Sequence, residues 1–174
     1  MTGLRSNGMK SFSLSTILVV FAAGCFVSGN AWAGSSSPGL SMFSGVSLSS
    51  RKSGDEDRRW GHNFGFFVDL PIISTFHICP SAEMYDLDET SMTDIAIAFK
   101  FVIPMGGLKP YIALVPGITS VGNEREGHLG AAGGVYWHLV SNLHLALQAK
   151  YKETLSSGSG VRVIHANGGL LFRF

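Results

Sequence analysis

Leu143-His144-Leu145-Ala146-Leu147-Gln148-Ala149-Lys150-Tyr151 alternates without a break, with Leu143, Leu145, Leu147, Ala149 and Tyr151 on one side and His144, Ala146, Gln148 and Lys150 on the other. A period of two is the geometry of a strand, whose successive side chains point to opposite faces. One face here is apolar and the other small or polar. The preceding segment repeats the pattern: Leu129, Ala131, Gly133, Val135, Trp137 and Leu139 oppose His128, Gly130, Ala132, Gly134, Tyr136 and His138.

Working outward, the same alternation extends over the rest of the chain. Leu40, Met42, Val46 and Leu48 oppose a serine-rich face, and Trp60, His62, Phe64, Phe66, Val68 and Leu70 oppose Gly61, Asn63, Gly65, Phe67 and Asp69. Phe76, Ile78, Pro80, Ala82 and Met84 oppose His77, Cys79, Ser81, Glu83 and Tyr85. Thr93, Ile95, Ile97, Phe99, Phe101 and Ile103 oppose Asp94, Ala96, Ala98 and Lys100. A fifth segment carries Leu108, Pro110, Ile112, Leu114, Pro116 and Ile118 on its apolar side, where the two prolines are expected to mark bends or strand ends. The last carries Ile164, Ala166, Leu170, Phe172 and Phe174. Eight strands are predicted in all.

The connections alternate in character. Segments 51–59, 86–91, 122–127 and 153–160 are polar and comparatively long, while tight links are expected at Leu70-Pro71-Ile72, Met105-Gly106-Gly107 and Val140-Ser141-Asn142. An even strand number with short turns at one end and longer loops at the other is the pattern of an outer-membrane barrel with both termini in the periplasm. The polar face supports this choice over a soluble barrel. It is rich in Gly, Ala and Ser with isolated charges, which suits the interior of a narrow barrel better than a solvated exterior.

The chain's first part fits export. Lys10 precedes an apolar stretch over 12–27, and Ala31-Trp32-Ala33 follows, which is the order of a secretory signal peptide. Cleavage after Ala33 divides the chain into a signal at 1–33 and a barrel domain at 34–174. Initiation at Met9 instead of Met1 leaves this reading unchanged. A competing reading takes Ala23-Gly24-Cys25 as a lipoprotein site, although Ala22 stands where a larger aliphatic residue is usual. Without the signal only Cys79 remains, so no internal disulfide and no cysteine metal framework can form. Thirteen basic against twelve acidic residues, scattered along the chain, give no footprint for nucleic acid. Beyond the signal no apolar run reaches the ~20 residues of a spanning helix.

The last residues, Asn167-Gly168-Gly169-Leu170-Leu171-Phe172-Arg173-Phe174, resemble the terminal β-signal read by the outer-membrane assembly machinery, with Asn167, Gly169, Phe172 and Phe174 at its four positions. With the strands and loops above, the chain after Ala33 resembles the small outer-membrane β-barrel superfamily, whose familiar members are the OmpA/OmpX-type eight-stranded barrels. The paired segments around Phe99-Lys100-Phe101 and from Gly107 to Ile118 look like the central strands of these families. That resemblance implies an all-β, eight-stranded, antiparallel up-and-down transmembrane barrel in the bacterial outer membrane. It carries localisation well and activity poorly.

Glu83, Asp94, Lys100 and Lys150 are expected to face the lumen, with Glu83, Asp94 and Lys150 near the outer end and able to pair. They would form an ion pathway or, as their pairing at that end favours, an internal network neutralising buried charge in a packed barrel. His77, His138, His144 and His165 share the polar face, but no pair has the spacing of a metal motif, and lumen hydrogen bonding is expected of them. His165-Ala166-Asn167 faintly resembles the histidine motif of outer-membrane lipid A deacylases, without a serine nucleophile beside it. No catalytic set, cofactor site or metal site is therefore expected. Trp60, Tyr85, Trp137, Tyr151, Phe172 and Phe174 fall near strand ends, where aromatic girdles form. The expected partners are outer-membrane lipid, the assembly machinery and a surface partner on the outer loops. The functional expectation is a non-enzymatic barrel with a structural or surface-interaction role; the alternative is a narrow porin for small solutes or ions.

Overall fold

The period-two segments form eight strands: β1 (Gly39–Arg51), β2 (Arg59–Ile73), β3 (Phe76–Leu87), β4 (Thr90–Val102), β5 (Leu108–Val121), β6 (Glu124–Val140), β7 (Leu143–Thr154) and β8 (Val161–Arg173). The structure is a computed structural model, and the residues it describes are 37–51, 58–87, 90–122, 124–155 and 160–174. The expected signal peptide at 1–33, its cleavage after Ala33 and the alternative site at Cys25 lie outside the described residues. Each strand pairs antiparallel with its neighbours in sequence, and β1 pairs with β8 from Gly39↔Arg173 to Arg51↔Val161, so the barrel closes. Closure removes the free strand edges on which sheets aggregate.

The two faces are inverted relative to a water-soluble barrel. Ile95, Ile97, Ile112, Leu114 and Leu147 are exposed on the outside and Leu145 is half-exposed there. Asp69, Glu83, Asp94, Lys100, Lys150 and Lys152 are all buried inside. An apolar exterior around a polar interior is stable against hydrocarbon and is the arrangement of a membrane barrel.

The aromatic belt differs from expectation at one residue. Trp60, Trp137, Tyr151, Phe172 and Phe174 are exposed, but Tyr85 is 2% exposed and belongs to the lumen. Its place on the same face as Glu83, two residues away, decides its direction.

The connections are more even than their polarity implies. β3 and β4 stay paired to Leu87↔Thr90, and β5 and β6 to Val121↔Glu124, so the expected loops at 86–91 and 122–127 are largely strand. The link expected at Leu70-Pro71-Ile72 falls later, because β2 continues through a bulge to Ile73↔Phe76. Pro110 and Pro116 lie within an unbroken β5–β6 ladder, pairing with Val135 and Leu129. The effect of Pro116 appears on the other side: the β4–β5 ladder skips from Ala96↔Gly117 to Phe99↔Leu114 without changing register. Proline lacks the N–H that this neighbour would accept.

The barrel interior as candidate functional site

At the loop end of the lumen, antiparallel pairing sets Glu83 of β3 directly opposite Asp94 of β4. Two adjacent carboxylates need two cations, and β7 supplies them from one face as Lys150 and Lys152. Lys150 Nζ pairs with Glu83 Oε1, and Lys152 Nζ lies 3.0 Å from Asp94 Oδ1. Tyr85 donates its hydroxyl to Glu83, and Thr119 donates to Asp94 at 2.7 Å. His128 Nδ1 lies 3.2 Å from both the Thr119 hydroxyl and Asp94 Oδ1. Breaking one such buried pair leaves an uncompensated charge, at a cost of about 3–5 kcal/mol.

Midway along the lumen Lys100 is 1% exposed. Its ammonium lies 3.7 Å from the centroid of the Phe67 ring, 4.9 Å from that of Tyr111 and 5.3 Å from that of Tyr136. It donates to the Tyr136 hydroxyl at 2.6 Å. Tyr111 and Tyr136 are stacked at 4.8 Å, and Gln148 donates to the Tyr111 hydroxyl at 3.1 Å. Gly134 gives Tyr111 its room: a Cβ there would stand 2.6 Å from the Tyr111 hydroxyl oxygen. Phe43, packed on Phe67 at 5.9 Å, fills the adjoining space.

At the terminal end, where Ser37 and Phe174 lie, Asp69 is the hub. Its Oδ2 accepts from Arg173 at 2.6 Å, and its Oδ1 lies 2.9 Å from His77 Nδ1 and accepts from Cys79 Sγ at 2.9 Å. The β2–β3 ladder is interrupted here opposite Pro80, between Phe67↔Ser81 and Leu70↔Ile78, and the Asp69–Cys79 contact bridges that gap.

The lumen charges can therefore be assigned one by one. Asp69, Glu83 and Asp94 are paired with Arg173, Lys150 and Lys152. Among the described residues Lys100 is the buried lysine that takes its contacts from rings and hydroxyl instead of a carboxylate. The four residues expected in the lumen are all inside it, but Lys100 stands apart from the Glu83–Asp94–Lys150 group. Sequence reasoning puts Asp69 on the polar face without naming it among the lumen charges, and passes over Lys152 and Arg173. Face parity finds these two, since they follow Lys150 and Leu171 at intervals of two.

The histidines divide. His77, His144 and His165 are buried, whereas His138 is exposed and touches His144 with ring centroids 5.1 Å apart. Ser47, on β1, lies 2.9 Å from His165 Nδ1 across the closing pair of strands. This supplies the serine that the sequence around His165 lacks, yet Ser47 is 0% and His165 1% exposed. The Asn63 amide lies 3.5 Å from the same ring nitrogen, and among the described residues no carboxylate is hydrogen-bonded to the imidazole. Among the described residues no group of three or more His, Cys, Asp or Glu is placed to hold a metal.

The four terminal-signal residues split between faces. Asn167 is buried and accepts from Asn63 at 2.7 Å, and Gly169 faces inward against Phe43, whereas Phe172 and Phe174 face out.

No protein-family model matches the chain, and no curated protein does. Solved structures do match. Neisserial surface protein A (NspA) is similar with a TM-score of 0.67 at 16% identity, covering 79% of this chain and 97% of that one. The outer-membrane enzyme PagL gives 0.52 at 11% identity, over 76% of this chain and 99% of that one. OprG, an outer membrane protein from Pseudomonas aeruginosa, gives 0.51 at 9% identity, over 81% and 97%. The chain shares the fold of these small outer-membrane barrels, and one fold there serves an enzyme as well as other proteins.

Proposed function

We propose that this chain is an exported bacterial outer-membrane barrel with a closed interior, whose role is structural or surface-interacting and not catalytic. The observation that carries the reading is the Lys100 cage: Phe67, Tyr111 and Tyr136 surround a buried ammonium at mid-lumen, with paired charges on both sides of it. A narrow porin for small solutes needs a continuous wet path, and eight strands leave room only for side chains. Against catalysis stands the burial of Ser47 and His165, which leaves their contact without access for a substrate.

In this reading residues 1–33 are a signal removed after Ala33, and the barrel spans 34–174. Lipid surrounds the apolar exterior. The assembly machinery reads Asn167, Gly169, Phe172 and Phe174. A surface partner would meet the two longest connections, between β1 and β2 and between β7 and β8, because the β3–β4 and β5–β6 hairpins offer little loop. Fractionation of expressing cells, with gel migration compared before and after boiling, tests the placement. Outer-membrane recovery with heat-modifiable migration supports it; soluble periplasmic protein that migrates identically in both lanes contradicts it.

A further inference from the structure

We propose that the cavity at the terminal end of the barrel is a binding site for a phosphate-type oxyanion. The cavity measures about 370 Å³, and its wall includes Ser37, Lys109, His138, Asn142, His144 and Arg173. Donors converge on it from four strands: Lys109 from β5, His138 from β6, His144 from β7 and Arg173 from β8. Among the described residues no Asp or Glu belongs to the wall. Asp69 stands behind it and holds only one edge of Arg173, at Nη2, while Nη1 donates to the Ser37 carbonyl at 2.6 Å.

One polar atom of the wall points to a ligand. Arg173 Nε is buried with no hydrogen-bond partner, on a residue that is 6% exposed. Buried polar atoms are almost always partnered, so an unmatched guanidinium N–H in a wall of this sign marks a place for an acceptor. Phosphate fits better than a carboxylate or halide, because several acceptor oxygens can meet an ammonium, a guanidinium and imidazole N–H groups from different directions. Gly106 and Gly107, which also line the cavity, are exposed. Phosphate chemistry at this position has two sources, the head group of a phospholipid in the adjoining leaflet and free phosphate.

The test uses the folded full-length barrel in dodecyl maltoside, a detergent without phosphate, at constant chloride. Inorganic phosphate and, separately, dihexanoyl phosphatidylglycerol are titrated in while the imidazole resonances of His138 and His144 are followed by heteronuclear NMR. A saturable shift with either probe is expected, and the probe with the lower midpoint identifies the source. Lys109→Gln, at the half-buried rim and away from the lumen packing, should raise that midpoint about tenfold or more, whereas Lys109→Arg should keep it within about threefold. The absence of a saturable shift with both probes, or an unchanged midpoint in Lys109→Gln, overturns the proposal.

Discussion

Lys100 and Tyr136, on β4 and β6, meet at 2.6 Å in the middle of the barrel, joining strands that are not neighbours in the sheet. The ammonium rests on aromatic faces, and desolvated contacts of that kind are worth about 2 kcal/mol against a desolvation penalty of several. Lys100→Met keeps the length of the side chain and removes the charge. It is expected to leave stability unchanged or raise it by about 1 kcal/mol, read from urea midpoints of the barrel refolded in lipid vesicles.

The Glu83–Lys150 pair behaves differently, because each charge has a partner to lose. Lys150→Ala should destabilise the refolded barrel by about 3–5 kcal/mol by stranding the Glu83 carboxylate beside Asp94. Adding Glu83→Gln to the same protein should recover most of that loss. Additive losses in this double-mutant cycle would show that the two side chains are not coupled.

How much of this was legible depends on what carries the signal. Segment 143–151 declared itself because period two and apolar side chains coincide, and the closed barrel follows from eight such segments. The strand ends beyond Tyr85 and before His128 did not. There both faces become polar, and composition no longer separates strand from loop. Glu83, Asp94 and Lys150 were placed together by strand direction. Ser47 with His165, and Asp69 with Arg173, are brought together by closure of β1 on β8 and by barrel curvature, which no local window contains.

The exterior can be tested by depth. Leu114→Arg, in the middle of β5, should cost about 2–4 kcal/mol, while Leu108→Arg, at the first residue of that strand, should cost about 1 kcal/mol or less. Equal costs at the two positions would argue against an apolar layer centred on the barrel.

The terminal strand separates assembly from packing. Replacing Phe172 and Phe174 together with Ser should lower the folded amount in cells while signal removal continues. Gly169→Ala acts on the barrel itself: an added Cβ would lie 2.7 Å from Phe43 Cα and closer still to the Met42 carbonyl oxygen. It should lower the unfolding midpoint of protein refolded without any machinery, by about 1–3 kcal/mol. If the Phe pair lowers that midpoint as much and assembly no further, the recognition role fails.

Planar-bilayer recording tests the closed interior most directly. Barrel shown to be folded by its heat-modifiable migration, added to both chambers in symmetric salt, is expected to leave the bilayer silent, since the Lys100 cage crosses the lumen. Reproducible ion-selective single-channel steps, altered when Glu83 or Lys150 is neutralised, would contradict it and establish the narrow pore instead.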